Sequence, residues 1–421
     1  MVNYGIYTRA LKEHLIPATG CTEPIALAYA AAIGRELLGE MPEAITAYVS
    51  GSIIKNVKSV VVPCTCGMKG IETAIAAGVT VGRAEAKLEV LAQAPEDTPK
   101  KISEFEKICS IDVKLSDSGC VFDIYLVMEK AGHTSQVRIA GHHTNVVLMK
   151  KDDNVVLEEK TFFDISQQDT TEMLRIKEIY EYASTCDLEE VAETLEMQIA
   201  CNTALAKEGL EGKWGAEIGK TLLEQVSGPD VKLRAMARAA AGSDARMSGC
   251  ELPAVINSGS GNQGITVTIP VVEYARELGV SHDLLLRALA LANLCAIRIK
   301  QSIGYLSAYC GAICAGCGAA AGIAYLHGAD ESLIEHTIVN GLAILSGTIC
   351  DGAKPSCAAK IAMSVDAGLL GYAMARNGRE FKGGDGIVKK GIENTIEEVG
   401  TLSREGMNRT NEVILDIMLK K

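Results

Sequence analysis

The residues best equipped for chemistry are cysteines. The chain has fourteen, and five fall close together in AYC(310)GAIC(314)AGC(317)GAAAG and GTIC(350)DGAKPSC(357)AAK. The first residues, MVNYGIYTRALKEHL, carry Arg9, Lys12 and Glu13 and so form no secretory signal. The chain is therefore expected in the cytoplasm, where thiols stay reduced and clustered cysteines bind metal or catalyse. Cys350 and Cys357, in a segment broken by Gly352 and Pro355, can join one cysteine of the preceding helical stretch. Three thiolates around a four-iron cluster leave one iron without a protein ligand, and that iron can act as a Lewis acid. A different reading takes Cys310, Cys314 and Cys317 as C-x3-C-x2-C. That is the spacing by which radical enzymes using S-adenosylmethionine hold such a cluster, on a loop after the first strand of a β/α barrel. Here it lies in a small-residue helical stretch late in the chain, which opposes that reading. Cys109, Cys120, Cys186, Cys201, Cys250 and Cys295 are scattered and read as small apolar packing residues.

Cys21, in ATGCTEP, is a second candidate. Pro24 suits the first turn of a helix, so Cys21 lies at or just before a helix N-terminus, where the dipole favours a thiolate able to serve as a base. A third is GSGNQG at Gly259–Gly264, formally G-x-G-x-x-G. A dinucleotide site would need a strand before it, a helix opening directly on it, and a second strand ending in an acid about 20 residues on. The next residues are ITVTIPVVEYARELG with Pro270 inside, then the helical run HDLLLRALALANL, so the test fails. PCTCGMKG, with Cys64 and Cys66, reads as a tight turn, an anion nest or a metal site. GHHTN places His142 and His143 side by side, and on a strand only one of them can reach a given site.

These residues need elements to hold them. Residues 1–40 read as helical, with a second helix starting in GCTEPIALAYAAAIGRELLGE. From Ala44 to Glu159 a period of two marks AITAYVSG, SVVVPC, VFDIYLVME, TSQVRIAG and TNVVLMKK as strands, with helices around IETAIAAGVTVG and PEDTPKKISEFEKI. After Asp164 helical periods run to the end. The expected class is α+β: a predominantly α-helical catalytic unit, residues 1–41 and 164–421, with an inserted α+β unit of mixed sheet at 42–163.

Length and composition bound what such a fold can serve. A chain of 421 residues exceeds a single core, and 41 glycines with one tryptophan imply close packing of small residues. A net charge of -12 argues against nucleic acid, whose phosphates need clustered Lys and Arg. Gln301–Gly328 has no acid, Lys or Arg, but Gly, Ala, Ser and Cys dominate it, so no membrane partner is expected. The expected ligand is a small molecule, and a homo-oligomer, a dimer, is the expected assembly.

The cysteine arrangement, with GCTEPIALA, SGSGNQGITVTIP and CDGAKPSCAAKIAM, closely resembles the L-cysteine desulfidase family, of UPF0597 type and related to the oxygen-sensitive iron-sulfur L-serine dehydratases. The resemblance spans essentially the whole chain. It implies a [4Fe-4S] cluster on Cys310, Cys350 and Cys357, with Cys314 and Cys317 nearby but not ligating. It places Cys21 at the active site as catalytic base and Thr22 as a substrate contact. Ser260 and Asn262 fall where the dehydratases carry a Pro-Thr-Asn-Gly segment and imply a substrate-carboxylate site. His143, Thr144 and Asn145 match the family pattern better than His142, with His143 the implied substrate contact. The implied reaction is α,β-elimination from L-cysteine to sulfide, pyruvate and ammonia. Serine dehydration at the same cluster is the nearest alternative. A non-catalytic iron-sulfur sensor is the alternative from another class, and would not need Cys21 or Asn262.

Overall fold

The structure, a computed structural model, describes residues 4–159, 174–225, 228, 230–304 and 306–420. It begins with helix α1 (Tyr4–His14), a short strand β1 (Pro17–Thr19) and helix α2 (Thr22–Leu38). The inserted region follows as β2 (Ala44–Val49), α3 (Gly51–Val57), α4 (Ile71–Val81), α5 (Thr98–Phe105), β3 (Ser110–Leu115), β4 (Asp123–Lys130), β5 (His133–Ala140), β6 (Val146–Lys151) and β7 (Asn154–Glu158). These strands form one six-stranded sheet in the order β3-β2-β4-β5-β6-β7, in which β2 and β3 are parallel and every other pair is antiparallel. The α+β class and the mixed sheet are as the sequence indicates. SVVVPC is not a strand: only Val61 makes a bridge, to Lys69, because the segment turns through Pro63 into Cys64 and Cys66, both at positive φ (61° and 52°). The edge strands β3 and β7 give no usable alternation, since both are largely exposed.

The alternating strands bury one face beneath α2. Ile45, Ala47 and Val49 of β2 and Ile124, Leu126 and Met128 of β4 are buried with Ile25 to Ala32 of α2. Ser135 donates to the Gly34 carbonyl at 2.8 Å, tying β5 to α2. Gly78 of α4 lies so close to α2 that a β-carbon there would come 2.2 Å from the Ala28 carbonyl oxygen. The second helix thus belongs to the core under the sheet while its first turn reaches the helical part. The boundary expected at 163/164 lies outside the described residues.

The rest is helical: α6 (Ile176–Thr185), α7 (Ala192–Glu211), α8 (Ile218–Leu223), α9 (Val231–Met247), α10 (Gly261–Leu278), α11 (His282–Ile303), α12 (Ala312–Leu326), α13 (Glu331–Leu345), α14 (Cys357–Arg376), α15 (Ile392–Thr401) and α16 (Met407–Leu419). Among the described residues its one strand is β8 (Pro253–Val255), which pairs antiparallel with β1. A second core runs through this bundle and includes Leu289, Ile297, Ile313, Ile338 and Ile361. Small residues bring the helices close: a β-carbon on Gly316 of α12 would lie 2.3 Å from the Ser364 carbonyl oxygen of α14. Among the described residues no helix is long and apolar enough to cross a membrane. A loop before Ala312 interrupts Gln301–Gly328.

Candidate active site

Several chain segments meet at one cavity of about 120 Å³. The first is the start of α2. Cys21 is its N-cap residue, buried, with extended backbone (φ -77°, ψ 133°). Its Sγ donates to Glu23 Oε2 at 3.0 Å. Thr22 Oγ1 lies 3.1 Å from the same carboxylate oxygen and 3.0 Å from the Gly259 carbonyl oxygen, so it links the start of α2 to the glycine-rich turn. Glu23 Oε1 accepts from Asn56 Nδ2 at 2.9 Å.

The second segment is that turn. Ser258 (φ 48°) and Gly259 (φ 79°) are left-handed, and the strain at Ser258 is offset by buried polar pairing. Ser258 donates to Asn257 Oδ1, Asn257 donates to Asn293 Oδ1, and Asn293 and Gln198 exchange amide hydrogen bonds. Ser260 caps α10 through the Gln263 amide. A helix therefore does open directly on this turn, contrary to the expectation from Pro270, which α10 accommodates in its interior. A dinucleotide fold is excluded instead by topology. The preceding strand belongs to a two-stranded antiparallel ribbon, and the element after α10 is the helix α11.

The third segment holds the cysteines. Tyr309 and Ile349 form an antiparallel bridge, with Cys310 N donating to Thr348 O and Cys350 N to Ala308 O, so Cys310 and Cys350 lie side by side. Cys310 stands before α12 rather than inside a helix, and Cys357 is the first residue of α14. All three line the cavity. Burial pushes the Cys310 thiol up to about 12, with Cys350 and Cys357 adding to the effect. Cys314 and Cys317 are buried inside α12 and do not line it. Lys354 and Lys360 both donate to Asp351 Oδ1, placing two ammonium groups beside this loop. Burial works against ionised Asp351, yet these two hydrogen bonds hold its carboxyl down at about 2. The fully buried Lys55 donates to Asn411 Oδ1, and burial lowers its pKa.

The fourth segment is the turn between β5 and β6. His143 is buried, edge-on to Phe122 at 4.8 Å, and lines the cavity, while His142 is exposed. Burial holds His143 neutral, pushed down to about 4. Asn145 instead closes its own turn through the Ala140 carbonyl. Cys64 donates to Leu91 O and, with Cys66, lies away from the cavity.

Two buried charged residues of the cavity wall are not among the candidates legible in the sequence, although Glu23 lies within GCTEPIALA. Arg246, near the end of α9, is 3% exposed and donates from Nη1 to Asn262 Oδ1 at 3.2 Å. It fits because residue 261 is glycine: a β-carbon there would lie 2.3 Å from Arg246 Nε. Glu23, two residues after Cys21, is the other. Burial opposes its charge, but the hydrogen bond from Cys21 and the Arg246 guanidinium are among the groups that outweigh it, so its carboxyl is held below the usual range. Burial, then the nearby Glu23 charge, pushes the Cys21 thiol well up despite the pull of Arg246. The helix terminus therefore does not leave a thiolate in the resting site. Among the described residues five buried polar atoms in the cavity wall have no hydrogen-bond partner: Asn56 Oδ1, His143 Nε2, Arg246 Nε, Gln263 Oε1 and Tyr309 OH. Such atoms concentrate where a ligand completes the set.

Residues 85–416 match the serine dehydratase alpha chain family. The chain belongs to that family. It is 51% identical over 419 residues to a UPF0597 protein of Desulfitobacterium hafniense, an alignment covering 99% of this chain and 97% of that one. It is 47% identical over 416 residues to a UPF0597 protein of Finegoldia magna, covering 99% of each. A third UPF0597 protein, of Fusobacterium nucleatum, is 41% identical over 423 residues, covering 98% of each. Membership in the serine dehydratase alpha chain family points to a lyase and implies an iron-sulfur group. Among the described residues no three His, Cys, Asp or Glu side chains converge tightly enough to grip a single metal ion. A cluster asks for something else, one thiolate per iron spread around a larger body. Three thiols on one cavity wall, beside Lys354 and Lys360, suit such an anionic group.

Proposed function

We propose that this protein is an iron-sulfur-dependent L-cysteine desulfidase, which converts L-cysteine to sulfide, pyruvate and ammonia by α,β-elimination. The observation that carries this reading is that Cys21 opens onto the same small cavity as Cys310, Cys350 and Cys357. Those three cysteines would hold a [4Fe-4S] cluster, which when bound supplies an iron free to act as a Lewis acid on the leaving sulfur.

The protein's own groups do the rest. Cys21 takes the Cα proton as a thiolate, which requires its thiol to ionise first, and general base catalysis of this kind is worth roughly 100 to 10,000-fold. The electron pair left on Cα forms the double bond to Cβ as the carbon-sulfur bond breaks, giving sulfide and an enamine that hydrolyses to pyruvate and ammonia. Thr22, Ser260, Asn262 and His143 contact the substrate.

Serine dehydration needs the same groups with hydroxide as the leaving group, and the family name favours it as the second reading. The test is anaerobic reconstitution with iron and sulfide, then pyruvate measured with cysteine and with serine, and sulfide with cysteine. A higher kcat/KM on cysteine is expected. Turnover of serine alone would make the protein a dehydratase, and turnover of neither would remove the lyase reading.

A further inference from the structure

Arg246 and Glu23 are buried charges of opposite sign in the wall of one cavity, and they are not paired with each other. Arg246 is 3% and Glu23 8% exposed. Among the described residues neither has an ion-pair partner within 4.0 Å. A buried charge without a counter-ion is costly, and removing both charges from water leaves each able to bind a complementary ligand group strongly. Arg246 spends Nη1 on Asn262, while its Nε has no partner and lies against Gly261, where the absent side chain keeps the guanidinium at the start of α10. This helix runs 18 residues, and its free N-terminal amides favour an anion at the same end. The buried guanidinium with its open Nε and the helix start thus point independently to a carboxylate.

Glu23 accepts from Cys21 and Thr22 on one oxygen and from Asn56 on the other. All three donors are neutral, so the carboxylate has no cation in direct contact with it among the described residues. A carboxylate offers about four acceptor sites, and one is left for an ammonium group.

We infer that the cavity reads both charges of a zwitterionic α-amino acid, with Arg246 binding the α-carboxylate and Glu23 the α-ammonium group. This rests on the lyase reading of the cavity and adds to it the two residues that hold the substrate's charges. Carboxylate and ammonium sit on one carbon, so fixing both fixes Cα, and the hydrogen bond of Cys21 to Glu23 puts the proposed base beside that carbon. The β-substituent then has the wall formed by Cys310, Cys350 and Cys357 left to it. Three fixed directions from one carbon also make the site selective for one enantiomer.

The test uses ligands that cannot react. L-Alanine carries both charges and no leaving group, propionate lacks the ammonium, and ethylamine lacks the carboxylate. Calorimetric titration of the full-length, iron-loaded protein under anaerobic conditions should show L-alanine binding at least about tenfold more tightly than either fragment and than D-alanine. Arg246→Met should bind L-alanine no better than ethylamine, and Glu23→Gln no better than propionate. Equal binding of L-alanine and propionate by the unaltered protein would overturn the role of Glu23 without recourse to any variant. Equal binding of L-alanine and ethylamine would do the same for Arg246, and undiminished L-alanine binding by either variant would overturn that residue's role. If cysteine gives no pyruvate and sulfide while L-alanine binds with both charge dependences, the desulfidase reading falls and this assignment stands. Normal turnover with no charge discrimination would sink this assignment and leave the desulfidase reading in place.

Discussion

Cys21 Sγ donates a hydrogen bond to Glu23 Oε2 at 3.0 Å, so the proposed base rests as a thiol against a buried carboxylate. Burial first and the Glu23 charge second raise its pKa well above the usual thiol range. Turnover should therefore climb with rising pH on the alkaline side. Glu23→Gln removes a negative charge from beside the sulfur, which favours the thiolate. The rising limb of kcat against pH should move to lower pH in that variant, while KM rises. A limb that stays in place would separate Glu23 from the ionisation of Cys21.

Cys21→Ser should keep the iron content and lose turnover by about 100 to 10,000-fold, because a hydroxyl ionises too weakly to replace a thiolate. Exchange of the Cα hydrogen in deuterated water, where the parent enzyme shows it, should fall in parallel. Near-normal turnover would remove Cys21 from the mechanism. Loss of iron would make it a cluster ligand.

Cys310→Ala, Cys350→Ala and Cys357→Ala should each lower iron content sharply, and Cys314→Ala and Cys317→Ala should not. The first three line the cavity while the other two are packed inside α12, Cys317 close against Gly341. Iron analysis of the five variants checks the division. Full retention in the Cys357 variant would refute the assignment.

The spacing of these cysteines is legible in the sequence, and so are the alternating central strands. The unread parts have physical causes. Edge strands β3 and β7 expose both faces and so lose the period of two. Pro270 argues against a helix that its neighbours nonetheless complete, since packing on α9 and α12 outweighs one missing amide. Arg246 and Glu23 cannot be read as partners of one cavity because 222 positions separate them, and only the folded chain brings them together. A faint signal exists for Glu23, which lies within GCTEPIALA, whereas Arg246 is one of five charged residues in α9 and nothing in the sequence sets it apart.

Exposure to air should inactivate the reconstituted protein, because an iron without a protein ligand is open to oxidants. A chelator should act in the same direction. Loss of the visible absorbance of the cluster and loss of activity should follow one time course. Activity outlasting the absorbance would exclude the cluster as the Lewis acid.

Asp244 lies fully buried in α9, two residues before Arg246, with Oδ2 accepting from the Gly219 amide at 3.1 Å and Oδ1 without a hydrogen-bond partner among the described residues. Burial pushes its carboxyl up to about 6, against the pull of the backbone amides of Gly219, Ile218 and Ala216. The unfolded chain ionises this group near its ordinary value of about 3.9. Its contribution to stability is therefore fully present below about pH 4 and is lost as pH rises through about 6, because the folded state holds the proton more tightly. Asp244→Asn mimics the protonated acid and keeps an oxygen for the Gly219 amide. The melting temperature of the variant should match that of the parent near pH 4, gain on it between about pH 4 and 6, and hold a constant advantage above that. A shift of about two units corresponds to at most roughly 3 kcal/mol, and a gain of about 1–3 kcal/mol is expected. An advantage that is largest in acid, or a variant less stable at every pH, would show that the buried carboxylate is compensated by groups other than these amides.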